Sequence, residues 1–160
     1  MIVTSNTTPL NYLILTGLVD ILPRLFDEVL IPAAVFTELQ REETPETVRE
    51  WIGNRPAWLQ VKPVHLPGAL SIRLHPGERD AILLAKQEGV GLIIIDESRG
   101  RRAARQEQLQ VVGTLGVVYE ASKKGFCDLD EAFDRLRKTS FHATESLYQY
   151  FLELKQKPRH

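Results

Sequence analysis

The chain contains one cysteine, Cys127, among 160 residues, which excludes an internal disulfide framework and a cysteine-rich zinc site. A lone thiol suits a reducing compartment, where it behaves as a small, semi-buried side chain. No apolar run approaches the roughly 20 residues that a membrane-spanning helix needs. The longest candidate, Leu92 to Ile95, has the length of one buried strand. The opening Met1-Ile-Val-Thr-Ser-Asn6 lacks the basic flank and apolar core of a secretory signal, so a cytoplasmic protein with no membrane association is expected. A dominant charge is missing as well: a net charge of −1 supplies no global attraction to nucleic acid. Internal repeats, low-complexity stretches and linkers are absent. A chain of this length fits a single domain, expected over residues 1–160, that buries about 68–70% of its unfolded surface.

What is present is charge sorted along the chain. Asp27, Glu28, Glu38, Glu42, Glu43, Glu46 and Glu50 face only Arg41 and Arg49 in their stretch. Arg99, Arg101, Arg102 and Arg105 follow one another with no acid between them. The tail from Arg135 onward is again basic. A locally basic surface attracts phosphates even when the net charge is near zero.

Short β-rich runs alternate with helical stretches, the pattern of a parallel sheet wrapped by helices. Strands are expected at 2–4, 29–31, 59–64, 92–95 and 110–112. Pro63 assigns the third of these to a sheet edge, and the apolar 92–95 run to a central position. Helices are expected from a Thr8 cap with Pro9 at the first helical position to Gly17, then at 18–26 and from Pro32 to Arg41. Others are expected from Thr44-Pro45 to 54, from Gly77 to Gly89, and at 98–108 and 115–124. The segment 65–76 reads as loop, and two helices near 128–138 and 145–156 pack on the rest. The fold class is therefore three-layer α/β/α, with a central, mostly parallel sheet of about four to five strands.

In open parallel sheets, ligands bind beyond the carboxyl ends of the strands. Asn6 follows the first strand and Asp96 follows the apolar one. A carboxylate ending so apolar a strand suggests a task, although it or Ser98 could simply cap the next helix. Glu78 lies in a first helical turn, where acids also favour the macrodipole. Asp80, two positions on, shares that explanation but lies on a different helix face. Glu38, beside Val35 and Leu39, could equally be a solvated helix residue. Taken together these acids imply more. Two carboxylates about 4 Å apart repel by roughly 4 kcal/mol at an effective dielectric near 20, so gathering several calls for a cation. Oxygen ligands of this kind select Mg²⁺ or Mn²⁺.

The stretches Ile2-Val-Thr-Ser-Asn-Thr-Thr-Pro-Leu10, Val29-Leu-Ile-Pro-Ala-Ala-Val-Phe-Thr-Glu-Leu39, Gly77-Glu-Arg-Asp-Ala-Ile-Leu-Leu-Ala85 and Leu92-Ile-Ile-Ile-Asp-Glu97 resemble, in this order, the acid-bearing segments of the PIN-domain family. The likeness covers about residues 1–125. Arg101-Arg-Ala-Ala-Arg105 and Val112-Gly-Thr-Leu-Gly-Val117 resemble a PIN-like branch of toxin–antitoxin type. The resemblance implies a metal-dependent endoribonuclease, an RNA substrate, a homodimer and a protein antitoxin. It assigns Glu38, Glu78 and Asp96 as catalytic acids and ligands of Mg²⁺ or Mn²⁺, with Asn6 at the family's first acidic position. Glu78 matches that pattern better than Asp80 does. Asp80 and Glu97 become supporting residues, as do Ser5 and Thr7, whose other roles would be turn and cap. The departure is Asn6, where the family has aspartate; the amide keeps a carbonyl ligand and removes one charge.

Arg99, Arg101, Arg102 and Arg105 are the candidate grip on an RNA backbone, unless they pair with the acidic 42–50 stretch. Gly113-Thr114-Leu115-Gly116 lacks the lysine and spacing of a P-loop and reads as a strand-to-helix turn. Tyr148, Tyr150, Phe151 and Leu154 read as a packing or dimer face. Two other functions stay open. One is a catalytically weak or inactive nucleic-acid or protein-binding module, because of Asn6. The other is a phospho-accepting Asp96, which lacks the acidic pair and lysine such sites use.

Overall fold

The computed structural model describes residues 1–66, 68 and 70–157. Five strands, β1 (Ile2–Ser5), β2 (Glu28–Pro32), β3 (Leu59–Lys62), β4 (Leu92–Ile94) and β5 (Gln110–Val112), form one sheet in the order β3-β2-β1-β4-β5. Every neighbouring pair is parallel. β3 lies at an edge, as Pro63 implied, and ends at Lys62, because proline has no N–H to continue the ladder. The expected loop at 65–76 includes residues 67 and 69, which lie outside the described residues. Its other positions carry no helix or strand until α5 begins at Pro76.

The pleat sends alternate side chains to opposite faces, and each face is closed by its own helices. Val3, Val29, Ile31 and Ile94 join α1 (Thr7–Leu15), α2 (Ile21–Leu25), α3 (Ala33–Glu38) and α4 (Glu46–Gly53) in one buried cluster. The same cluster takes in α7 (Thr114–Lys123), α8 (Leu129–Arg137) and α9 (Glu145–Gln156). Leu30, Ile93 and Ile95 face the other way, onto α5 (Pro76–Glu88) and α6 (Ser98–Gln106). These are the three layers. α8 and α9 join the first cluster through Phe133 and Tyr148, whose rings meet edge to face at 5.1 Å. Tyr148 and Phe151 are thus packing residues, while Tyr150 of the same helix is exposed. Among the described residues, no helix is long and apolar enough to cross a membrane.

Local signals set several boundaries differently from expectation. α1 starts at Thr7 with Asn6 as its N-cap residue, so Pro9 is the third helical residue instead of the first. Pro32 closes β2, and α3 follows it directly. Gly89 ends α5 at φ +66°, a left-handed position that costs glycine nothing. Gly53, the last residue of α4, has open space where a Cβ would stand. Gly53→Ala is therefore expected to stabilise the fold by about 0.4–1 kcal/mol, by restricting the unfolded chain. A urea midpoint that falls in this variant would contradict the open space around Gly53.

Candidate metal cleft at the switch point

The chain runs from β1 to β2 to β3 along one half of the sheet, then crosses to β4 and β5 on the other half. The direction therefore reverses between β1 and β4, and there the helices diverge and leave a crevice. Asn6 stands at one lip and Glu97 at the other, and the Asn6 N–H donates to the Ile94 carbonyl at 3.3 Å. A cleft of about 190 Å³ opens here, lined by Asn6, Thr7, Thr8, Glu38, Arg41, His75, Pro76, Glu78 and Glu97.

Asn6 is 3% exposed, and its Oδ1 has no hydrogen-bond partner although it heads α1. Ser5, fully buried, donates its hydroxyl to the Asn6 carbonyl at 2.9 Å and so fixes the backbone of that turn. Thr7 donates to Glu38 Oε2. Glu38 in turn lies flat on Gly77, where a Cβ would come within 2.6 Å of its Oε1. Glu78 is 7% exposed, its Oε2 has no partner, and the same oxygen would meet a Cβ on Gly100 at 2.7 Å. Burial first, then the charge of Glu97, pushes the Glu78 carboxyl above its ordinary value; His75 opposes this and Glu38 adds to it.

Asp96 behaves differently. One of its oxygens accepts the Thr114 N–H at 2.8 Å and the other the Thr114 hydroxyl at 2.7 Å. It therefore caps α7, a helix that begins 18 residues later, and neither it nor Ser98 supplies a side-chain cap to α6. A Cβ on Gly113 would come within 2.9 Å of Asp96 Oδ1 and 3.2 Å of Arg101 Nη1. Burial raises the Asp96 carboxyl, while the Thr114 hydrogen bonds and the Arg101 charge lower it. Asp96 and Arg101 line a neighbouring groove together with Gly113, Tyr119, Phe151 and others, not the cleft of Glu38 and Glu78.

The structure therefore brings together Asn6, Thr7, Glu38, Glu78 and Glu97 of the residues singled out from the sequence. It places Asp80 outside the cleft, paired to Arg79 at 3.0 Å. Arg99, Arg102 and Arg105 are exposed on α6. The ion pairs found among the described residues do not join them to the acidic 42–50 stretch. Sequence reasoning passed over Arg41 and His75 at the rim and Thr114 behind Asp96. The only local sign of Thr114 was its place at the start of a helix.

Among the described residues, no three His, Cys, Asp or Glu side chains stand closed around one point as a metal cage. The donor chemistry nevertheless fits a hard divalent cation. A buried acceptor without a partner costs about 1–3 kcal/mol, and both Asn6 Oδ1 and Glu78 Oε2 are such acceptors among carboxylates. Oxygen-only donors of this kind suit Mg²⁺ or Mn²⁺, which keep several waters of their own.

A family model described as a PIN domain matches residues 2–157. No curated protein matches the chain. Since that match spans nearly every residue of the sheet, its helices and the cleft, the chain belongs to the PIN-domain family, a nuclease-type fold whose members generally use divalent metal ions.

Proposed function

We propose that the protein is a divalent-metal-dependent endoribonuclease of the cytoplasm, the toxin of a toxin–antitoxin pair, acting as a homodimer on RNA. The observation that carries this reading is the pair of unpartnered buried acceptors, Asn6 Oδ1 and Glu78 Oε2, at the switch point of a PIN fold. Asn6, Glu38 and Glu78 would hold Mg²⁺ or Mn²⁺ together with a carboxylate from the Asp96-Glu97 turn. Such an ion supplies Lewis acidity towards a phosphoryl oxygen and lowers the pKa of a water.

The chain's own groups do the rest. Thr7 holds the Glu38 carboxylate in place. The open amides at the start of α1, which receive no side-chain cap from Asn6, face an anion favourably. Arg41 at the rim and the exposed Arg99, Arg102 and Arg105 of α6 place an RNA backbone by charge. A protein antitoxin would neutralise the toxin by occupying the cleft.

Asn6 favours one other reading. A neutral side chain at that lip leaves the cleft one charge short and supports a module that binds nucleic acid or protein with little catalysis. Incubation of single-stranded RNA with the protein and Mn²⁺ separates the two. The nuclease reading expects cleavage that a chelator stops and that Asn6→Asp increases about tenfold, by restoring a charged ligand. An inert wild type beside an active Asn6→Asp variant supports the binding module. If neither cleaves and neither binds Mn²⁺, the nuclease reading fails.

A further inference from the structure

We infer that Glu97, not Asp96, completes the cation site, and that Asp96 is a positioning residue which Thr114 holds in place. The inference rests on the divalent-ion reading of the cleft and assigns its fourth side chain. Three observations lead to it.

Asp96 is held by other groups. Its two oxygens accept hydrogen bonds from the N–H and hydroxyl of the fully buried Thr114. Arg101 supplies the balancing charge, and the Gly113 backbone lies against Oδ1. Each oxygen keeps a second lone pair, but a cation brought to that carboxylate would have to approach the Arg101 guanidinium and compete with it. Glu97 has the opposite surroundings. Its side chain is exposed, lines the cleft with Asn6, Glu38 and Glu78, and is the largest charged influence on Glu78. The cleft itself carries the independent sign of a ligand, the unpartnered and almost wholly buried Asn6 Oδ1.

The two residues are neighbours in sequence, so they divide the work. The Asp96–Thr114 bonds tie the end of β4 to the start of α7. With that turn pinned, the next residue projects into the cleft, at the head of α6. A carboxylate at Glu97 also restores the charge that Asn6 lacks, from the opposite lip.

Mn²⁺ titration followed by loss of the free-ion electron paramagnetic resonance signal tests the assignment without relying on cleavage. Glu97→Gln is expected to weaken Mn²⁺ binding by about tenfold or more, since ligand charge sets affinity. Asp96→Asn keeps the cap, because its Oδ1 accepts the Thr114 N–H and its amide donates to the Thr114 oxygen. It is expected to bind Mn²⁺ within about threefold of wild type, a smaller change than loss of a supporting contact usually brings. Thr114→Val removes the hydroxyl with no change of charge and is expected to weaken binding roughly tenfold. Thr114→Ser, which keeps the hydroxyl, restores it.

A loss in Asp96→Asn as large as that in Glu97→Gln, or full binding by Glu97→Gln, overturns the assignment while the ion reading stands. Wild-type protein that leaves the free-ion signal untouched overturns the ion reading itself, and the assignment with it. Full binding by Thr114→Val removes the positioning role. Should that variant fail to fold, the comparison of Glu97→Gln with Asp96→Asn still decides which carboxylate is the donor.

Discussion

Replacement of Glu78 by glutamine is expected to stabilise the metal-free protein at neutral pH and to lower RNA cleavage on the order of a hundredfold. The side chain is nearly buried, and its carboxyl is raised above the ordinary 4.5, mainly by burial and then by Glu97. Over that interval the native state binds more protons than the unfolded chain, so stability falls as pH rises through it. The cost of the charge is thus absent below the unfolded value and complete above the native one. Glutamine has no such charge, and its amide brings donors into a pocket of acceptors.

At pH 7 a gain of about 1 kcal/mol would raise the melting temperature by roughly 2–4 °C for a chain of this size. The gap between variant and wild type should close as the pH is lowered through the native value towards 4.5. Mn²⁺ should stabilise the wild type by binding only the native state, and the variant much less. Melting curves across pH 4–8, with and without Mn²⁺, check both parts. A gap that stays constant with pH, or a variant less stable than wild type at pH 7, would show that the Glu78 charge is not a burden on the metal-free fold.

Gly100→Ala is expected to cost about 1–3 kcal/mol, against a gain of up to about 1 kcal/mol from helix propensity alone. The added methyl would lie 2.5 Å from Ile95 Cδ1 and 2.7 Å from Glu78 Oε2. Ile95 is fully buried just past the end of β4 and has little room to retreat. Glu78 is the more flexible neighbour, so part of the strain should pass to its carboxylate and weaken Mn²⁺ binding as well. Ile95→Val deletes the closest atom, and the double variant should recover part of the lost stability. That coupling separates a true clash from a general effect of the substitution. A single variant as stable as wild type, with unchanged Mn²⁺ affinity, would mean that α6 shifts away from the strand end at no cost.

The glycines show how the acids at this end of the sheet are seated. Glu38 rests on Gly77, Glu78 on Gly100 and Asp96 on Gly113. Each acid lies where a neighbouring backbone offers no Cβ, in space that a side chain there would fill. Nothing in the sequence marks these pairings, because Gly77 reads as the start of a helix and Gly113 as a turn.

Much of the architecture was legible along the chain because it depends on local periodicity. The β-branched run from Ile93 to Ile95 needs burial on both faces, and Ala81, Ile82, Leu84 and Ala85 repeat at helical spacing. These patterns place Asn6 and Asp96 beyond strand ends before any fold is known. Boundaries were harder: Pro9 pointed to a helix start two residues late, because the cap at Asn6 is made by backbone conformation without a side-chain bond. The strand order, and with it the switch point, depended on which apolar faces found each other. Only the tertiary structure separates the surroundings of Asp96 and Glu97, which a sequence reading places one residue apart and cannot orient. Thr114, distant in sequence, donates a hydrogen bond to each oxygen of the first, and the cleft opens beside the second. The chain itself determined that carboxylates would collect at one end of the sheet; long-range packing determined which of them line the cleft.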